Sequence, residues 1–173
     1  MTSRVPKQRG GERIAGNSRH RGREAAVQML YLWEVGRTDI EQVVENFWSI
    51  EQSDDSPLPG DRTRQFATAL ARGTVGSLER IDHLIAGSSE HWRRSRMGTV
   101  DRLIIRLAVY EMLNGETPAA VAIDEALDLA RTFSTEDAVR FVNGMLDGIR
   151  RGLEAQPASS AAAPAVEPEQ DGR

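Results

Sequence analysis

The 173-residue chain contains no cysteine. This absence excludes disulfides, thiolate metal sites and cysteine nucleophiles, and it is typical of proteins in a reducing compartment. No apolar run approaches the about 20 residues that a membrane-spanning helix needs. Residues 1–16 also lack the apolar centre of a secretory signal. We therefore predict a soluble, cytoplasmic protein without a membrane partner.

Motifs for catalysis and cofactor binding are absent as well. The sequence has no Gly-rich loop leading to GKS or GKT, no GxSxG and no HExxH. Its three histidines, His20, His83 and His91, are not spaced as metal ligands. Acidic pairs such as Asp124–Glu125 occupy adjacent helix positions, which do not face each other. We expect no enzymatic activity, no cofactor and no bound metal.

Charge is distributed unevenly along the chain, although the formal net charge is only −4. Residues 1–23 hold seven basic residues and one acidic residue, whereas the remainder holds 15 basic and 25 acidic residues. A basic arm on an acidic body favours an anionic partner at one place. Charge alone leaves two interpretations open, a solubilising tail and a nucleic-acid-binding arm.

Composition divides the chain into three parts. Residues 1–18 are rich in glycine and charge, and residues 154–173 are rich in proline, alanine, serine and glutamate. Both segments contain too few apolar residues to fold alone, so we predict a disordered arm and a disordered tail. Residues 19–153 show helical spacing of apolar residues and no strand-like alternation. The expected fold class is all-α, with about seven helices.

The helices can be placed from their apolar stripes and their end signals. We expect the second helix to begin with a capping box formed by Thr38 and Glu41, and the last helix to begin at Ser134. Residues 99–113 are apolar on most sides, which is typical of a central helix. Whether residues 89–96 form a short helix remains open. The other predicted helices cover 19–36, 61–86 and 119–133.

The predicted start of the first helix carries Arg19, Arg21 and Arg23. An arginine guanidinium is a planar, permanently charged fork of donors that suits phosphate. Gln28 follows about one turn later; its amide can read a base edge, but a plain surface position explains it equally well. Binding of single-stranded RNA also needs exposed rings for stacking. Tyr31 and Phe141 are candidates, although the apolar stripe around Phe141 favours a core position.

Three blocks of sequence resemble the NusB family of bacterial transcription antitermination factors. They are RHRGREAAVQMLYLWEV at 19–35, GTVDRLIIRLAVYEML at 98–113 and TPAAVAIDEALDLARTFSTEDAVRFVNGMLDGI at 117–149. The resemblance implies an all-α fold of two packed helical sub-bundles. It also implies binding of single-stranded boxA RNA together with NusE, a small-subunit ribosomal protein. The family assists RNA polymerase, with NusA and NusG, in ribosomal RNA transcription, without catalysis or a cofactor.

The resemblance also implies roles for individual residues. The RNA-contacting positions of the family fall on Arg19, Arg21, Arg23, Gln28, Asp137 and Phe141. The NusE-binding positions fall on Tyr31 and Asp101. Two residues depart from the family pattern: His20 interrupts an arginine run, and Asp124 stands where asparagine is usual.

Three alternative functions compete with RNA binding. A NusB-like domain also occurs in ribosomal RNA cytosine methyltransferases, but those enzymes use catalytic cysteines, which this chain lacks. A DNA-binding helix could only be the basic segment 89–96, and no clear preceding helix-turn element supports it. A helical adaptor that binds only proteins remains the serious alternative, and RNA affinity distinguishes it from the antitermination factor.

Overall fold

The computed structural model describes residues 10–51, 59–88 and 97–155, with side chains for 18–50, 59–88 and 97–155. Within these ranges every regular element is a helix, which confirms the all-α prediction. None of these helices is long and apolar enough to cross a membrane. The helices are α1 (Gly10–Gly36), α2 (Ile40–Glu51), α3 (Asp61–Gly76), α4 (Leu78–Gly87), α5 (Thr99–Asn114), α6 (Ala119–Phe133) and α7 (Glu136–Ala155).

Helix α5 is the centre of the fold, as its nearly continuous apolar sequence predicts. It packs against α1, α3, α4, α6 and α7. Its fully buried side chains are Leu103, Ile104, Ile105, Leu107, Ala108 and Val109. The helix ends at Gly115, whose φ of 74° is a left-handed conformation that glycine adopts without a steric cost.

The helices form two groups of three that share one apolar core. Helices α1, α2 and α3 contact one another, and so do α5, α6 and α7. Contacts of α5 with α1 and α3 join the two groups, and α4 packs against α3, α5 and α7. The buried apolar residues of both groups belong to a single cluster. This arrangement matches the expected pair of packed sub-bundles.

Two helices differ in extent from the sequence-based predictions. Helix α1 begins at Gly10 rather than at 19, so residues 10–18 of the predicted disordered arm are helical. The single helix predicted over 61–86 is two helices. The series of helical backbone hydrogen bonds is interrupted at Ser77, whose N–H donates to the carbonyl oxygen of Thr74. Gly76 precedes the interruption, and glycine weakens a helix interior. Residues 1–9, the segment 89–96 and the tail from 156 onward lie outside the described residues.

Two helix caps also differ, each by one residue. The side chain that accepts at the start of α2 is Asp39, whose Oδ1 takes the N–H of Glu41 at 2.9 Å, whereas the Thr38 hydroxyl donates to the Gly36 carbonyl. At the start of α7, the Thr135 hydroxyl accepts from Ala138 at 3.3 Å. The predictions that Thr38 and Ser134 cap these helices were therefore wrong. In both cases the capping side chain is the one directly before the first helical residue.

The ring and hydroxyl of Tyr110 on α5 pack directly against Gly73 of α3, which has no side chain. A Cβ atom built at this position would lie 2.1 Å from the ring and hydroxyl of Tyr110 on α5. Such a distance is far below van der Waals contact. Only glycine therefore permits the observed position of the Tyr110 side chain.

Candidate nucleic-acid-binding site

Two arginines near residue 18 of α1, where the described side chains begin, are exposed to solvent. Arg19 and Arg21 are exposed, and neither forms an ion pair with a carboxylate among the described residues. The guanidinium carbon of Arg19 lies 5.1 Å from the ring centre of Phe66 on α3. Ser18 and Thr63 share a hydrogen bond of 2.7 Å, which fixes this part of α1 on α3. Both charges are thus held on a rigid helix and are free to meet phosphates.

Arg23 does not belong to this exposed surface, so its prediction as an RNA contact is corrected. Its side chain is only 2% exposed and forms two hydrogen bonds to Glu111 on α5, of 2.9 and 2.7 Å. The hydroxyl of Thr117 donates to the same carboxylate at 2.9 Å. Arg23 lies one turn after Arg19, where α1 has already entered the contact with α5. Its charge is neutralised inside the protein.

His20, which interrupts the arginine run, connects α1 to α6. Its Nδ1 lies 2.8 Å from Glu125 Oε2, and its Nε2 lies 3.5 Å from Glu24 Oε1. The same Glu125 oxygen lies 3.6 Å from the Arg23 guanidinium. The sequence contains no signal for this connection, because the residues of the pair are 105 positions apart. His20 therefore has a structural partner rather than a free position beside the arginines.

The start of α7 presents the second group of predicted contacts. Asp137 and Arg140 are strongly exposed and lie 3.4 Å apart as an exposed ion pair. Phe141 is 40% exposed, whereas its neighbours Val142 and Met145 on the apolar stripe are buried. The sequence-based preference for a core position of Phe141 was therefore wrong. Its ring can stack on a base, as single-stranded RNA binding requires.

The remaining predicted residues lie on α1 and α5. Gln28 and Tyr31 are exposed on α1. Asp101, in the first turn of α5, is half-buried, and its Oδ1 is buried without a hydrogen-bond partner among the described residues. An unsatisfied buried carboxylate oxygen is costly unless a partner reaches it. The roles of these three residues remain predictions.

The two exposed groups do not form one pocket. Within the described part of the chain, α6 contacts both α1 and α7, and α1 and α7 are not in contact with each other. A ligand that touches Arg19 and Phe141 must therefore extend across α6. An elongated polymer with charges and rings along its length satisfies this geometry, whereas a small metabolite does not.

Comparison with known proteins identifies the family of this chain. The sequence model of the NusB family matches residues 20–151. The chain belongs to the NusB family. A transcription antitermination protein NusB from Solibacter usitatus is 46% identical over 136 residues, which cover 79% of this chain and 90% of that protein. Its counterpart from Symbiobacterium thermophilum is 40% identical over 140 residues, covering 79% and 92%.

Solved structures of NusB proteins share the fold. The T. maritima NusB structure is 36% identical, with a TM-score of 0.66, over 77% of this chain and 90% of that one. A structure of NusB and NusE in complex with dsRNA matches with a TM-score of 0.67 and 23% identity, over 79% of this chain and 98% of that one. At that identity the second match shows the fold alone.

Proposed function

We propose that this NusB-family protein is a cytoplasmic transcription antitermination factor. It binds single-stranded boxA-type RNA together with NusE, and it supports ribosomal RNA transcription by RNA polymerase in a complex with NusA and NusG. Binding is the whole activity, with no catalysis and no cofactor. The observation that carries the proposal is the exposed Phe141 ring on α7, in a family member whose α1 presents the unpaired charges of Arg19 and Arg21.

Each predicted residue has a distinct task in this proposal. Arg19 and Arg21 bind phosphates, and the Phe141 ring stacks on an unpaired base. The Gln28 amide and the Asp137 carboxylate contact base edges, the first as donor and acceptor and the second as acceptor. Tyr31 and Asp101 bind NusE. Because phosphate contacts release counterions, affinity falls steeply with salt.

The form of the RNA is part of the proposal. The related complex of NusB and NusE named above contains dsRNA, and this observation applies to that complex rather than to the present chain. An exposed ring such as Phe141 acts on unstacked bases, which a duplex does not offer. Single-stranded boxA RNA is therefore the expected ligand, and a duplex of the same sequence is the matched competitor.

Fluorescence anisotropy of labelled boxA RNA tests the proposal. The RNA is titrated with this protein alone and with NusE, at two salt concentrations, beside a scrambled RNA and the boxA duplex. We expect NusE to tighten binding, salt to weaken it, and both control RNAs to bind more weakly. Equal weak binding to every RNA, with no effect of NusE, would contradict the antitermination assignment.

One observation favours the alternative of an adaptor that binds only proteins. A groove of about 420 Å³ lies between the end of α1 and α2, and it is lined mainly by apolar side chains. Leu32 and Ile50 at this groove are 47% and 68% exposed. Exposed apolar patches commonly mark protein-binding surfaces. The adaptor becomes the better interpretation if the anisotropy experiment shows no specific RNA binding.

A further inference from the structure

The arginines of the described part of the chain divide into two groups by their partners. One group is neutralised in ion pairs with carboxylates; its members are Arg23, Arg72, Arg102, Arg106, Arg131, Arg140, Arg150 and Arg151. The other group has no carboxylate partner among the described residues; its members are Arg19, Arg21, Arg37, Arg62, Arg64 and Arg80. Arg62 and Arg64 of this group lie in the first turn of α3, and Arg19 lies against the same helix through Phe66.

Arg62 continues the exposed charge of α1 onto α3. It is exposed, and it lies one helical turn before Phe66, on the same flank of α3. Phe66 is the ring that carries the Arg19 guanidinium, at 5.1 Å, and it also lies against Gly22 of α1. The hydrogen bond between Ser18 and Thr63 closes the contact between the two helices. Arg19 of α1 and Arg62 of α3 are therefore both associated with the side of α3 that carries Phe66.

Arg64 carries this charge to the other flank of α3. Its guanidinium carbon lies 5.2 Å from the ring centre of Trp48 on α2. The two residues line a groove of about 560 Å³ between α2 and α3. Trp48 is fixed there because its Nε1 donates to the Thr68 hydroxyl at 3.0 Å. Stacking on a ring holds a guanidinium in place while its N–H donors stay free for an anion.

The other charges of the groove are Arg72 and Asp61. Glu41 forms a bidentate ion pair with Arg72 and raises the pKa of its guanidinium, so Arg72 is already satisfied. Asp61 is the only carboxylate among the residues that line the groove. Gly60, which precedes α3, supplies no side-chain cap to the helix. An anion in this groove would thus meet Arg64 and the positive end of α3, opposed by Asp61 in the lining and by Glu45, which acts on Arg72 from beside the groove.

We propose that Arg62 and Arg64 form a second phosphate-binding surface that extends the RNA path beyond Arg19 and Arg21. The ligand is the single-stranded RNA that flanks the boxA element, held through its phosphates across the first turn of α3. This surface contacts no bases, so it increases affinity without adding sequence preference. The inference rests on the proposed function, because the path begins at the α1 arginines.

The test compares boxA RNA with the same RNA carrying a short run of uridines at its 5′ or 3′ end, in the presence of NusE. For the wild-type protein we expect one of the two extensions, and only one, to tighten binding. The double substitution Arg62→Gln and Arg64→Gln should weaken binding of that extended RNA by at least about fivefold and reduce its salt dependence by about one to two phosphate contacts. Binding of the unextended RNA should change by less than about twofold.

Two variants sharpen the test. Arg37→Gln with Arg80→Gln removes the same amount of charge from unpaired arginines on other parts of the surface, and it should leave the gain from the extension intact. Asp61→Asn removes an opposing carboxylate and should increase the gain in affinity that the extension provides. Arg62→Gln alone covers the case in which loss of the Arg64–Trp48 contact disturbs folding, since Arg62 is exposed.

The outcomes separate this inference from the proposed function. If the wild-type protein binds no boxA RNA, the proposed function fails. If it binds boxA RNA but neither extension tightens binding, the second surface does not exist. The same conclusion follows if the Arg62 and Arg64 variants retain the full gain in affinity from the extension. It also follows if the Arg37 and Arg80 control variant loses as much of this gain as the Arg62 and Arg64 variants do.

Discussion

Arg23 on α1 and Glu111 on α5 form a bidentate ion pair whose two side chains are only 2% and 4% exposed. The hydrogen bonds are 2.9 and 2.7 Å long, and the Thr117 hydroxyl completes the carboxylate environment. The pair connects one three-helix group to the other across the middle of the core. Its contribution is therefore to the mutual orientation of the two groups, and so to the relative position of the α1 and α7 surfaces.

Removing one partner of this pair should destabilise the protein strongly. Glu111→Leu removes the bidentate partner of the buried Arg23 guanidinium and leaves only Glu125, whose Oε2 lies 3.6 Å from Nη1. Loss of one partner costs about 3–5 kcal/mol of unfolding free energy in comparable buried pairs. Urea denaturation followed by circular dichroism measures the loss. The double variant Arg23→Met with Glu111→Leu removes both charges and should recover most of it. A Glu111→Leu protein as stable as wild type would show that the pair is not the structural connection inferred from its geometry.

The arginine run illustrates how far a sequence can predict a site. The residue type and the place on α1 were predictable, because charge density and the family pattern both indicate them. The separate role of Arg23 was not, because it depends on Glu111, 88 positions away, and on the crossing of α1 over α5. The fold class and the central position of α5 were predictable since they follow from periodicity alone, whereas the caps of α2 and α7 shifted by one residue.

Arg19 and Arg21 should be separable from Arg23 by experiment. The double variant Arg19→Gln with Arg21→Gln removes two exposed charges and should weaken boxA RNA binding at least about tenfold, at roughly 1 kcal/mol per charge-assisted contact. Its unfolding free energy should change by no more than about 1 kcal/mol, the value of an exposed cation–π contact such as that of Arg19 with Phe66. Arg23→Gln, in contrast, should lower stability.

Anisotropy and urea denaturation on the same preparations provide both quantities. Arg37→Gln with Arg80→Gln is the matched control, since it removes equal charge from unpaired positions elsewhere, and it should reduce affinity much less. An affinity loss below about threefold for the Arg19 and Arg21 variant would count against the role of α1 in phosphate binding.

The packing of Tyr110 against Gly73 yields a prediction about stability alone. Gly73→Ala places a Cβ atom 2.1 Å from Tyr110, so the tyrosine or the helix must move. Overpacking typically costs about 1–3 kcal/mol, and the cost here should lie at the lower end because the outer end of the Tyr110 side chain can rotate away. Tyr110→Ala in the same chain removes the clash, so Gly73→Ala should be nearly neutral or stabilising in that background. Thermal unfolding of the wild type, the two single variants and the double variant gives the coupling free energy between residues 73 and 110. Equal effects of Gly73→Ala in both backgrounds would disprove the steric explanation.

Phe141 shows why a clean apolar stripe does not by itself locate a core residue. Residues 138, 141, 142, 145, 146 and 149 follow helical spacing, yet the core covers only the part of this stripe that faces α5 and α6. Phe141 lies at the edge of the stripe, near the start of α7, and 40% of its surface remains exposed. Periodicity defines which side of a helix is apolar, but the width of the covered strip depends on the neighbouring helices.

Phe141→Ala should therefore affect RNA binding more than stability. Loss of one stacked base typically costs about 1–3 kcal/mol, so the affinity for boxA RNA should fall about five- to hundredfold while the salt dependence stays unchanged. Leu146→Ala on the same helix is the matched control, because Leu146 is fully buried and its truncation should cost about 2–5 kcal/mol of stability. Phe141→Trp keeps a stacking surface and should retain binding. If Phe141→Ala binds RNA as wild type does but unfolds at much lower urea, then Phe141 supports the core, and the RNA surface of α7 must be sought at other residues.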